Sequence, residues 1–122
     1  MNTVQSALEK ARSQAQDLHK NMEISALQDQ VAMRAEMARV AAKTLELRQS
    51  LSGAQNGNRA AVQQHIQAAQ SALDEASTKA KAAATAGAAD LKKSAEAVRE
   101  RTRQAVQQLT DAVAAERSKV NA

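Results

Sequence analysis

Apolar residues recur every three or four positions along the first half of this chain: Val4, Leu8, Ala11, Ala15, Leu18, Met22. After an 11-residue step the stripe resumes as Met33, Met37, Val40, Thr44, Leu47, Leu51, with Ile24, Leu27 and Val31 widening it in between. Spacings of three and four are helical, whereas a strand would alternate. No Pro interrupts the 122 residues, and 30 of them are Ala. Ala is the strongest helix former and Pro the weakest. The expected fold class is therefore all-α.

The second half keeps an 11-residue period. One row reads Val62, Leu73, Ala84, Ala95, Val106; a second reads Ala69, Ala80, Leu91, Thr102, Val113; a third reads Ala76, Gly87, Val98, Leu109, Val120. Eleven residues are three turns of 3.67 residues, so this helix should be straight or slightly right-handed in supercoil. Between the halves, Ser52-Gly53-Ala54-Gln55-Asn56-Gly57-Asn58 is a turn signal. Gly53 suits the position after a helix end, and Asn58 suits the N-cap of the next helix. Thr3 or Ser6 can cap the first helix, Ser6 and Glu9 matching a capping box. The organisation read from this is one all-helical domain over 1–122: a helix over about 3–52, a turn at 53–58 and a helix over about 59–120. The second helix would be about 93 Å long. Between Leu73 and Leu91 it holds no large apolar residue, and Gly87 lies there. The alternative is a third helix starting near Asp90 after a break near Gly87.

A short turn between long helices predicts an elongated antiparallel two-helix hairpin. If residue 52 faces 59, the bulky run Met22 to Val40 faces the small-residue run of about 71–89. Ile24 then falls near Gly87, Leu27 near Ala84 and Val31 near Ala80. Large opposite small allows close helix approach without voids. There is no Phe, Tyr or Trp, and only 23 residues are Leu, Val, Ile or Met. So thin a core predicts self-association, as a coiled coil or a four-helix-bundle oligomer. Residues after about 109 overhang the first helix in this register. Leu91, Val98, Val106, Leu109, Val113 and Val120 are the candidate oligomer interface.

Catalysis needs convergent polar groups in a pocket, and the sequence offers none. In the hairpin register His65 lies near position 46, and His19 is roughly 40 Å further along at 1.5 Å per residue. The two would not share a site. Asp74 and Glu75 are adjacent and point to different faces; Glu75 and Lys79 form an i,i+4 surface pair. There is no phosphate-cradling glycine loop, no nucleophile elbow and no zinc spacing. With no Cys there is no thiolate chemistry. The expectation is a non-enzyme with no cofactor and no metal. Met22, Met33 and Met37 read as core filling opposite Ala rather than as a binding groove. No apolar h-region follows the start and no run is long enough to span a bilayer, so the expected location is cytoplasmic, with non-classical secretion left open.

Net charge is +4. Residues 58–122 hold 10 basic and 7 acidic groups, a mild bias. On a helical wheel Lys92, Arg99 and Arg103 form a stripe roughly 90–130° to one side of the apolar direction, and Arg101 sits roughly 70° to the other. Glu96, Glu100 and Asp111 lie opposite. Basic flanks around an apolar face are the layout of helices that lie on anionic surfaces. Lys92, Arg99, Arg101 and Arg103 are thus candidate contacts for an anionic membrane or granule surface. Over about 59–120 the chain resembles the amphipathic repeats of exchangeable apolipoproteins and the granule-coating bacterial phasins. In wording such as STKAKAAATAGAADLKKSAEAV it resembles late-embryogenesis-abundant proteins. These likenesses are compositional, and no residue's role is carried over from them. They imply an amphipathic coat protein on a lipid or hydrophobic-granule surface, or a protective protein that folds conditionally. Specific nucleic-acid binding is not expected: phosphate contacts would be few and no ring is present to stack on bases. The leading expectation is a non-catalytic scaffold that self-associates or meets a helical protein partner.

Overall fold

A computed structural model describes residues 3–25, 29–54, 60–85 and 88–121, and the side chains of 6–22, 29–52, 60–85 and 90–116. These residues form four helices: α1 (Thr3–Ser25), α2 (Gln30–Ala54), α3 (Ala60–Ala84) and α4 (Ala88–Asn121). No strand occurs among the described residues. Neighbours in sequence are neighbours in space, and α4 closes the ring against α1. Around the ring, the contact between α3 and α4 is the most extensive and that between α1 and α2 the least. On the diagonals α2 touches α4, while among the described residues α1 and α3 do not meet. Side-chain bonds run His19 to Thr102, Ser77 to Ala41 and His65 to Gln108. Rising numbers on one helix thus meet falling numbers on the next, as in an up-down-up-down bundle.

The all-α expectation holds, and the two-helix hairpin is corrected. Each expected long helix is two helices folded back on each other. Physically, a long helix with one apolar stripe covers only half of that stripe in a two-helix hairpin. Folding both helices in half brings the four stripe segments around one axis within a single chain. The first fold is set by Asp29. Its carboxylate accepts the Val31 N–H at 3.4 Å, and its carbonyl accepts the Met33 N–H at 2.8 Å. Those are the bonds of an N-cap. At the second fold the hydroxyl and N–H of Thr85 both reach back to the Ala82 carbonyl, at 3.2 and 3.3 Å. α4 then starts at Ala88, beside Gly87, which itself lies outside the described residues. The expected turn at 53–58 falls between α2 and α3. Gly53 and Ala54 are still helical, and 55–59 lie outside the described residues.

The core has two clusters. One packs Leu8, Leu47 and Leu51 against Val62, Ile66, Leu109 and Val113. The other packs Met22, Met33, Met37 and Val40 against Ala76, Ala80, Ala83, Leu91 and Val98. Large side chains of α2 therefore do meet the alanines of α3. The register between α2 and α3 differs from expectation. Residue 77 was expected opposite 34, but Ser77 meets Ala41, about two turns along. Val31, expected in the stripe, is 71% exposed; at 200° from Met33 it points away from the bundle axis. Ile24, Leu27 and Gly87 lie where no side chain is described. Val113 needs no second chain: it is 1% exposed and packs in the cluster of Leu8. The overhang of the hairpin reading does not exist for it, because α4 runs back along α1.

Candidate functional site

Polar side chains along the seams between helices are used to hold helix to helix. Ser77 is buried and donates to the Ala41 carbonyl at 3.1 Å. Thr44 is buried one turn away and donates to the Val40 and Ala41 carbonyls at 2.8 and 3.0 Å. Gln70 reaches from α3 to the Arg48 carbonyl and to the Ser52 hydroxyl, each at 3.3 Å. Arg48 pairs with Asp74 at 3.0 Å, and Arg101 pairs with Glu75.

The two histidines belong to the same class of contact. His19 Nδ1 meets Thr102 Oγ1 at 3.2 Å, and His65 Nδ1 meets Gln108 Oε1 at 2.8 Å. Their expected separation of roughly 40 Å is corrected. Thr102 and Gln108 are six residues apart on α4, about 9 Å along its axis. The rings nonetheless grip α4 from different sides, one from α1 and one from α3. Among the described residues no three His, Asp or Glu side chains gather as a metal site.

A cleft of about 280 Å³ lies between α1 and α2, the adjacent helices in least contact around the ring. Asp17, Asn21, Arg39, Lys43 and Glu46 rim it over Leu18 and Leu47. Its charges are balanced and already engaged along α2. Arg39 forms a two-point ion pair with Glu36, and Lys43 lies 3.5 Å from Glu46. The hydrogen bond from Glu36 raises the Arg39 pKa above its ordinary value, against the opposing effect of burial. A second, shallower groove runs past Asp74, Thr78 and Lys79, and the Arg101–Glu75 pair lies across it.

Of the interface candidates, Leu91, Val98, Leu109 and Val113 are buried in the chain's own core, and Val106 is half-buried against it. They are covered by the same chain's helices. The Val120 side chain lies outside the described residues. Of the anionic-surface candidates, Lys92 is exposed and Arg99 half-buried. Arg101 is tied to Glu75 and, at 3.1 Å, to Gln104. Arg103 is exposed and holds Glu100 through two bonds. That bond from Arg103 draws the Glu100 pKa below its ordinary value, and the Arg103 pKa is raised in turn. The stripe is thus partly neutralised by acidic partners. Sequence reasoning missed the seam role of Ser77 and Gln70, the N-cap Asp29 and the burial of Glu116. Only Asp29 carried a local signal, as an N-cap residue type.

Comparison with protein-family models, with characterised proteins and with solved structures gives no match. Among the described residues no helix is long and apolar enough to cross a membrane. Geometry and sequence therefore carry the functional reading.

Proposed function

We propose that this chain is a non-catalytic helical scaffold that self-associates. The observation that carries this is the core. Among the described residues 26 apolar side chains are buried, of which 11 are Ala and none is aromatic. Ala contributes little apolar area, and folded domains are only marginally stable at best. Such a bundle gains from any partner that covers or shares its helices. The use of seam polar groups as helix-to-helix ties supports a structural rather than chemical role. The exposed Lys92 and Arg103 on α4 favour a second reading, a coat on an anionic lipid or granule surface. The neutralising partners of Arg101 and Arg103 rank it second.

Solution mass and helicity, measured over a hundredfold range of concentration with and without vesicles, test the proposal. A scaffold is helical in buffer, heavier than a monomer, and melts at higher temperature when concentrated. A flat melting midpoint with a monomeric mass overturns it. Gain of helix only on adding anionic vesicles promotes the coat.

A further inference from the structure

We propose that the partner of this chain is a second copy, joined by exchange of halves, and that Asp29 holds the chain back from that exchange. The proposal rests on the self-association reading and gives it a geometry.

The starting point is that α2 and α3 are each 25 residues long. The two folds, before α2 and after α3, therefore stand at one level of the bundle. The register makes this more specific. Across α2 and α3, Ser77 meets Ala41 and Asp74 meets Arg48. Continued in a straight line, that register would put residue 102 opposite residues 16 to 20. The structure has Thr102 on His19. The α1–α4 seam is thus the collinear continuation of the α2–α3 seam.

The buried faces are also in phase. Met22 and Met33 are both buried, as are Ala80 and Leu91. Each pair is 11 residues apart and spans one of the two folds. Eleven residues are three turns with about 20° left over. If both folds straightened, each long helix would present one continuous apolar face. Independent helices joined by loops have no need to keep that phase.

Straightening both folds turns the bundle into an extended hairpin with the α2–α3 and α1–α4 seams intact. It gives up the α1–α2 and α3–α4 contacts. A second copy, laid antiparallel on the first, restores them: α1 of one on α2 of the other, and α3 of one on α4 of the other. Such an interface is two-fold and self-complementary. It reuses the core residues of the folded-back chain and needs no new apolar surface.

Asp29 opposes this form. It lies seven residues after Met22 and four before Met33, on the same stripe. In a straight helix its carboxylate would lose the Val31 N–H and turn into the apolar seam, where burying a charge is costly. Folded back, it is an exposed N-cap. Gly87 weighs in the same direction, since glycine disfavours a helix interior.

The chain has no Cys, so spin labels can be placed on Ala7→Cys and Gln49→Cys, both at exposed sites. Labelled chains are diluted into unlabelled ones, so only distances within one chain are read, alongside solution mass. Folded back, these sites lie on adjacent helices whose axes are about 8–10 Å apart. In the exchanged dimer they are about 63 Å apart along one helix. Asp29→Ala should raise the dimerisation constant about 30-fold, each lost cap being about fivefold. Asp29→Leu should raise it further, with the long distance dominant. Gln30→Pro should give a monomer with the short distance, because Pro suits the first helical position and blocks continuation. A dimer that keeps the short distance overturns the exchange and leaves self-association standing. Monomers at every concentration in all three variants overturn both. If Asp29→Leu fails to fold, equal masses for Asp29→Ala and Gln30→Pro overturn the exchange.

Discussion

Met37 and Ala80 make the packing of large against small residues measurable. Both are 0% exposed and belong to one core cluster. The Ser77–Ala41 contact sets the register that brings Ala80 opposite residue 38, beside Met37. Met37→Ala removes most of a buried side chain and should cost about 2–5 kcal/mol, according to how far the site collapses. Ala80→Leu adds three carbons where none fits and should cost about 1–3 kcal/mol through displaced rotamers. Against a total stability of roughly 5–15 kcal/mol, either change is easily read. Together they should cost less than their sum by about 1–2 kcal/mol, because the new leucine fills the space the methionine leaves. Urea unfolding of the four proteins at one fixed concentration gives the cycle, provided the slope with denaturant is unchanged. Additivity within about 0.5 kcal/mol would mean that the two side chains do not share a space. The α2–α3 packing described here would then be wrong.

Val113→Asp should unfold the bundle rather than merely dissociate an assembly, at roughly 3 kcal/mol or more for burying a carboxylate in an apolar site; retained helicity and melting temperature would refute its burial against α1. The Glu100–Arg103 pair holds the Glu100 carboxyl below its ordinary pKa. Its contribution is therefore present above the ordinary Glu range and lost as pH falls through the lowered value. The pair lies on the surface with about half of each side chain exposed, so Glu100→Gln should leave the acid limb of a melting-temperature profile nearly unchanged. A large flattening would show that the pair matters more than its exposure allows.

Much of the fold was legible because helical periodicity needs no tertiary knowledge. The stripe from Leu8 to Leu51 and the weak point near Gly87 both carried local signals. The complementarity of Met33 and Met37 with the alanines of α3 was legible too, because it depends on volume rather than on exact register. The fold before α2 was not. It contains no Gly or Pro, and its signal is the single Asp29. Asp is a poor marker alone: Asp74 sits inside α3 and Asp111 inside α4. The mistaken separation of the histidines follows from missing the two folds together: residue 19 stays beside residue 102 in either form, and only an α4 folded back on α3 brings residue 108 to His65. The seam bonds of Ser77 and Gln70 could not be seen either. Which polar residue lies on a seam depends on a register about two turns from the expected one.

The same omission explains why a two-helix hairpin and a four-helix bundle were so hard to tell apart. Both forms bury the same faces of the same residues. The α2–α3 and α1–α4 seams are shared, and the remaining seams differ only in whether the neighbour belongs to the same chain. Apolar patterning reports which face is buried and is silent on whose helix buries it. The difference between the forms resides in two short connections. There the competing terms are a cap, a glycine and a carboxylate on the stripe, each small beside the core. The entropy of bringing two chains together favours the folded-back form at low concentration, and mass action favours the dimer at high concentration. On the exchange proposed above, the assembly state of a chain with seams so nearly collinear is set by Asp29 and its own abundance, more than by its alanine-rich faces.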